Sequence, residues 1–385
     1  KRGLKRAHLP HLPHPDPERI SDVSPLNQIC ITRLCSAGWL IQGSSSRSGG
    51  SPRRLTFEMS LIAGSYDKFV WGFKLKTLNP TSDAFSLDKL FCCPTHTSPI
   101  RAVAVGGPVV ASAAAAGTIK LYDLPSSTEV ASLTKCHSSA TALCFVTSSV
   151  FSFPLNLISA HEDGGVSIFD AGPFVLLKTI PAHKKAVNDI SVHPSGKLAL
   201  SVGRDSCLAI LNLVRGRRSF YCRLDKEATI VKFDLEGGKF FMVAGEKVSM
   251  HESEDARLVF ELESQKRVLC AAPGSGGLVV TGGDDRNITA WDMNSGKVAY
   301  CIEGAHHGRV RGIVVHTGKG VGDPYLVSSA SSDGIIRAWD VRAAAKEKAE
   351  PLVEADTKSR LTCLAGTSIT TSGRKLAKDE PGTVF

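Results

Sequence analysis

YLVSSASSDGIIRAWDV, residues 325–341, reads as strand, tight turn, strand. Leu326 to Ala330 is an apolar run ending in small residues. Ser331-Ser332-Asp333-Gly334 has the chemistry of a turn: Asp bonds nearby backbone N–H groups, and Gly accepts a positive φ. Ile335, Ile336, Ala338 and Trp339 resume an apolar strand, which Trp339-Asp340 closes. The same pattern occurs earlier as LVVTGGDDRNITAWDM, residues 278–293, closing on Trp291-Asp292. Units of this kind, recurring every ~40–50 residues and ending in Trp-Asp, are the signature of a propeller blade.

Working back toward the N-terminus, five further copies precede these two. They run Ile62 to Leu75, Val109 to Leu124, Leu157 to Asp170, Leu198 to Leu213 and Phe240 to Glu252. Phe73, Tyr122, Phe169, Leu211 and His251 stand where Trp stands in the last two. The copy containing Gly245-Glu246 departs furthest, because its turn lacks the Asp. Each copy needs a strand ahead of it on the inner side of the blade. Six are found in place: Ile100 to Val105, Thr141 to Val146, Val187 to Val192, Thr229 to Phe233, Arg267 to Ala272 and Val310 to Val315. The seventh is RLTCLA, residues 360–365, at the far end of the chain. It is expected to return to the first copy and close the ring, leaving no unpaired edge there. The expected fold is all-β: a seven-bladed WD40 β-propeller closed by the C-terminal strand, with a disordered N-terminal extension.

The organisation follows as 1–58, a disordered or non-native leader; 59–366, the propeller; and 367–385, a flexible tail. The leader carries His8, His11 and His14 among prolines, a Ser run and no strand–turn–strand unit. The first Met of the chain is Met59, so translation starting there is one expectation; a basic arm and a targeting peptide are the others. Nine Lys/Arg and four Asp/Glu within 1–58 account for +5 of the net charge of +9. The body is therefore mildly basic, compatible with acidic or nucleic-acid partners without requiring them. No run of about 18 apolar residues is present, so no membrane span is expected. Eleven Cys, none spaced Cys-x-x-Cys, read as mostly buried reduced thiols.

No P-loop, dinucleotide fingerprint, nucleophile elbow or zinc-protease motif occurs, and no cofactor or metal is expected. The paired acids Asp284-Asp285 and Glu162-Asp163 fall in blade turns, where structural roles are the expectation. His183 with Asp205, and His306 or His307 with Asp333, are expected to form buried networks together with Trp291-Asp292 and Trp339-Asp340. Candidate partner or RNA contacts are basic loop residues. Lys184, Lys185 and Arg204 should share one face, with Lys68, Arg286, Arg309 and Arg360 in comparable loops of other blades; Arg215, Arg217 and Arg218 should emerge on the opposite face, ahead of a strand beginning near Phe220.

AGSYDKFVWGFKL (63–75), HPSGKLALSVGRD (193–205) with NLVRGRRSF (212–220), SASSDGIIRAWD (329–340) and TKSRLTCLAG (357–366) resemble the p21-activated protein kinase-interacting protein 1-like family. The resemblance runs from Met59 to about Gly366. It implies a nuclear and nucleolar scaffold, without catalytic residues, that works in large-ribosomal-subunit maturation beside pre-ribosomal proteins and rRNA. It also implies an alternative, an adaptor that binds and restrains a p21-activated-type kinase through its regulatory region. The family commonly carries a long Lys/Arg-rich tail; here Arg374, Lys375 and Lys378 are the basic residues beyond Gly366.

Overall fold

The structure, a computed structural model, describes residues 58–78, 84–133, 138–147, 152–316, 326–341 and 349–368. The expectations placed on 1–57 and on 369–385, and Tyr325 of the opening stretch, lie outside them.

The described chain is almost wholly β, arranged as seven sheets of four antiparallel strands. Blade 1 contains β1 (Glu58–Ser65), β2 (Val70–Thr77) and β3 (Phe85–Cys93). Blade 2 is β4 (Ile100–Gly106), β5 (Val109–Ala114), β6 (Ile119–Asp123) and β7 (Thr128–Leu133). Blade 3 is β8 (Ala140–Val146), β9 (Asn156–His161), β10 (Gly165–Asp170) and β11 (Leu176–Pro181). Blade 4 is β12 (Val187–Val192), β13 (Leu198–Gly203), β14 (Cys207–Asn212) and β15 (Arg217–Arg223). Blade 5 is β16 (Ile230–Phe233), β17 (Lys239–Ala244), β18 (Lys247–Glu252) and β19 (Leu258–Glu263). Blade 6 is β20 (Val268–Pro273), β21 (Leu278–Gly283), β22 (Ile288–Asp292) and β23 (Lys297–Ile302). Blade 7 is β24 (Val310–His316), β25 (Leu326–Ser331), β26 (Ile335–Asp340) and β27 (Val353–Asp356). The last strand, β28 (Leu361–Ser368), pairs with β1 from Met59↔Ser368 to Ser65↔Leu361 and completes blade 1 as its inner strand. The inner strands β4, β8, β12, β16, β20, β24 and β28 neighbour one another in a closed cycle. The ring is thus a seven-bladed propeller, closed by the strand at residues 361–368. Its first strand begins at Glu58, one residue ahead of Met59.

Seven apolar clusters hold the ring, one between each pair of adjacent blades. Leu61, Ala63, Phe73 and Leu75 of blade 1 pack on Leu326, Ala330, Ile336 and Ala338 of blade 7. Ile62 and Val70, on the other face of blade 1, pack on Ile100, Val110 and Tyr122 of blade 2. A blade therefore has no private core, and both of its faces are covered. This explains why β5 (VVASAA) and β25 (LVSSAS) are buried at every position and do not alternate apolar with polar. The outer strands β7 and β11 are mostly exposed. Of the eight described cysteines, only Cys207 and Cys270 are fully buried, so the expectation of mostly buried thiols does not hold. Cys222 and Cys301 sit on the outer strands β15 and β23, and Cys144 and Cys363 on the inner strands β8 and β28.

Turns between second and third strands, and connections between blades, lie on one face of the ring, called upper here. The remaining turns lie on the lower face.

Candidate interaction surfaces

Inside blade 7, Trp339 Nε1 donates to Ser329 Oγ at 2.9 Å, and Ser329 meets His306 Nε2 at 2.8 Å. His306 Nδ1 lies 3.6 Å from Asp333 Oδ2. The hydrogen bonds of that carboxylate come from the backbone N–H groups of His307 (3.0 Å), Gly308 (3.1 Å) and Ile335 (3.0 Å). Of the two neighbouring histidines, His306 therefore supplies the ring and His307 only its backbone. In blade 4, Ser201 Oγ meets His183 Nε2 at 2.9 Å, and His183 Nδ1 meets Asp205 Oδ1 at 3.0 Å. Asp205 Oδ2 accepts from Lys184 N at 2.8 Å. Leu211 takes the place of Trp, and Tyr221, reaching in from the outer strand, donates its Oη to Asp205 Oδ2 at 2.7 Å. Gly203 is required here, because a Cβ would stand 2.7 Å from His183 Nδ1. In blade 6, Trp291 Nε1 donates to Thr281 Oγ1 at 2.8 Å, and Asp292 accepts from Ser295 Oγ at 2.7 Å and Asn294 N at 2.9 Å. Asp340 closes β26 in the register opposite Leu326. Two members of this pattern had no counterpart in the sequence reading. His96 bonds Ser112 Oγ at 2.6 Å in blade 2, and His316 bonds Ser328 Oγ at 2.9 Å in blade 7.

Electrostatics fixes the protonation of these networks. Burial pushes the pKa of His183 below its ordinary value, against the pull of Asp205. Burial lowers His96 to about 4 and His316 to about 3. For Asp205 and Asp333, burial opposes the charged form, but their hydrogen bonds outweigh it. Tyr221, Lys184 N and His183 hold Asp205 below the usual carboxylate range; His306, Ile335 N and Gly308 N do so for Asp333. His183 is therefore neutral at pH 7, with Nδ1–H donating to a carboxylate that can only accept, and Nε2 accepting from Ser201. Serine, imidazole and carboxylate in this order have the connectivity of a hydrolase triad. Ser201 and Ser329, however, are fully buried, out of reach of any substrate.

Arg218 does not project from the lower face as the sequence suggests. The outer strand β15 already begins at Arg217, which pairs with Asn212, while Arg218 pairs with Leu211. From that position the Arg218 guanidinium lies 4.4 Å over the Tyr221 ring and donates to Ala182 O at 2.7 Å. Blade 7 repeats the device with Arg337, which donates to Ala305 O at 2.6 Å. In both blades the capped carbonyl belongs to the Ala just before the network histidine. Arg215, Arg217 and Arg218 are all exposed, but Arg218 has its guanidinium engaged in these contacts.

Lys184, Lys185, Arg204, Arg286 and Arg309 all fall in upper-face loops and are exposed. Arg309 forms an ion pair with Asp284 at 3.1 Å. The turn acids have local work: Asp285 accepts from Asn287 N at 3.3 Å, Asp163 accepts from Gly165 N at 2.9 Å, and Glu162 pairs with Arg101. The upper rim is notched at blade 5. Its β17–β18 turn has two residues, Gly245 and Glu246, where the other blades use three or four. Lys226, Glu227, Glu246, Glu263 and Arg267 border the resulting cavity of about 380 Å³. Among the described residues, no group of three His, Cys, Asp or Glu is placed to hold a metal.

Residues 174–211, from just ahead of β11 to β14, match the family model "WD domain, G-beta repeat". This stretch contains His183, Ser201 and Asp205. The chain is 26% identical over 236 residues to Protein MAK11 of Saccharomyces cerevisiae, covering 55% of this chain and 56% of that one. It is 26% identical over 288 residues to Shk1 kinase-binding protein 15 of Schizosaccharomyces pombe, covering 73% and 77%. To a p21-activated protein kinase-interacting protein 1-like protein of Danio rerio it is 32% identical over 306 residues, covering 80% of each. Identity at that level, over 80% of the chain and not one repeat, goes beyond what Trp-Asp blades share as a fold, and the chain belongs to the p21-activated protein kinase-interacting protein 1-like family.

Proposed function

We propose that this protein is a non-enzymatic scaffold that assists assembly of the large ribosomal subunit and maturation of its rRNA, in the nucleus and nucleolus. The observation that carries this reading is a closed ring with exposed cations on both faces, joined to membership of a family whose resemblance implies that work. The buried networks support a structural role for the histidines and turn acids, which leaves the loops to act on partners. Pre-ribosomal proteins dock on a rigid face, and Arg215 and Arg217, exposed on the lower side, contact rRNA phosphates.

Gradient sedimentation of the tagged protein from nuclear extract tests this. Migration with large-subunit precursors that collapses on RNase treatment is the expected result. Arg215→Glu with Arg217→Glu should reduce that association and flatten its salt dependence. Migration as a small free species, with or without RNase, would count against the reading. A second reading is favoured by the names of the relatives: a kinase adaptor that holds a regulatory region and blocks activation. A stable binary complex with a kinase regulatory fragment, unaffected by RNase, would select it.

A further inference from the structure

Six of the seven inner strands carry a β-bulge at their second residue: Arg101, Thr141, Asn188, Leu269, Arg311 and Thr362. A bulge turns its side chain out of the ladder, here along the upper rim. Three of these residues fasten one blade to the next. Arg101 pairs with Glu162 and donates to Ser139 Oγ at 3.4 Å. Asn188 donates to Glu227 Oε1 and Ala228 O, both at 2.9 Å. Thr362 donates to Ile100 O at 2.8 Å.

Arg311 holds the same position in β24 and faces blade 1. The close approach is set by Gly312, where a Cβ would stand 2.4 Å from that of Leu364 in β28. Equivalent backbone bonds identify what Arg311 meets. Glu162 N donates to Ser139 O at 3.0 Å in blade 3, and Tyr66 N donates to Arg360 O at 2.8 Å in blade 1. The residues equivalent to Glu162 and Ser139 are thus Tyr66 and Arg360, and the charge of Arg360 acts on Arg311. The carboxylate is replaced by a ring that is 55% exposed, with the Arg360 guanidinium 5.6 Å from its centre. No ion pair is formed by Arg311 among the described residues. Asp284, the acid whose charge acts on Arg311, forms its ion pair with Arg309. Asp67 is likewise occupied, accepting from Arg360 N at 2.9 Å. Burial, then Arg309 and Arg360, push the pKa of the half-buried Arg311 below its ordinary value and outweigh the opposing pull of Asp284.

We propose that Arg311 and Arg360, with Tyr66 beside them, hold a carboxylate of an acidic protein segment at the upper rim between blades 7 and 1. The bound side chain takes the place that Glu162 fills for Arg101, so that the partner supplies the missing half of an inter-blade ion pair. A carboxylate suits the site because Glu162 shows that geometry within the same molecule. Arg311 is also only partly exposed, which favours a single side chain over the phosphates of a duplex. The site goes beyond the assembly reading and does not depend on it.

Fluorescence anisotropy on the purified chain tests it, with a labelled oligoglutamate peptide, an oligoglutamine peptide of equal length and an oligouridine RNA. The glutamate peptide should bind and the glutamine peptide should not. Arg311→Gln and Arg360→Gln should each weaken binding about tenfold or more, as expected for loss of a charge-assisted bond. Lys297→Gln, on an exposed outer strand, should leave it unchanged. Arg360 is exposed, so its variant carries the test if Arg311→Gln melts early. Equal binding of both peptides, wild-type affinity in both arginine variants, or RNA bound more tightly than glutamate through the same arginines would each overturn the proposal.

Discussion

At the scale of the residue, position in a network matters more than charge. His183→Ala leaves Asp205 and Ser201 without their shared partner inside blade 4. Removing one member of a buried polar pair costs roughly 1–3 kcal/mol, and the loss should appear as a lower denaturation midpoint with an unchanged slope. Tyr221→Phe should cost less, about 1 kcal/mol, because Lys184 N and His183 still hold Asp205. Arg218→Gln should lower the melting temperature through loss of the bond to Ala182 O and the contact with Tyr221. Arg215→Gln should leave melting unchanged, which separates the two neighbours experimentally. The histidines add a dependence on pH. His96 and His316 have folded pKa values of about 4 and about 3, below the unfolded value of 6.5. The unfolded state therefore binds protons first as pH falls, so stability present above pH ~6.5 is lost progressively toward pH ~3. Melting curves between pH 7.5 and 4 should show this decline, and it should be shallower in His316→Asn. A flat profile, or an unchanged slope in that variant, would show that these rings do not control acid stability.

At the scale of the element, β28 is the piece on which the ring depends. A chain ending at residue 355 lacks the inner strand of blade 1, exposing the ladder of β1 and uncovering Leu61 and Ile62. Cooperative melting should be lost or shifted down by many degrees, and an unchanged melt would contradict the closure. The seven central strand pairs were legible in the sequence because each is a hydrophobic run broken by a turn of Asp, Gly or Ser. Closure was legible as a count, since six inner strands served seven pairs. Of the outer strands, only the one near Phe220 was read, and it begins three residues earlier, at Arg217. Exposed stretches such as TEVASL in β7 have neither a covered face nor a fixed turn to mark them. The destination of Arg218 was hidden for the same reason: only the strand register shows that Tyr221 lies under it. Arg311 was missed because a bulge is a property of two paired strands, and Val310-Arg311-Gly312 gives no local sign of one.

At the scale of the whole molecule, the two faces are independent surfaces on one rigid frame. Arg215 and Arg217 lie by the turn between β14 and β15 on the lower side, and Arg311 and Arg360 on the upper rim. They share no contact, so their effects should add when variants are combined. If the proposed assembly role holds, a chain carrying Arg215→Glu, Arg217→Glu and Arg360→Gln should lose pre-ribosome association to the extent of the first two changes, and peptide affinity to the extent of the third. Anisotropy and sedimentation on the same preparation would measure both. Coupling between the readouts would mean that the ring transmits strain from one face to the other.

The joint between β1 and β28 also has a consequence in time. Arg360 N bonds Asp67 across 293 residues, and Thr362 bonds Gly64 O across 298. During synthesis, β1 leaves the ribosome early and waits for its neighbour until nearly all of the described chain has been made. Blades 2 to 7 can each complete their sheets as they emerge, but blade 1 cannot. The nascent protein is therefore an open arc in which β1 lacks its inner neighbour, and the arrival of β28 converts it into a circle. That interval, more than any property of the finished ring, is when the chain is most exposed to wrong pairing and most in need of a chaperone.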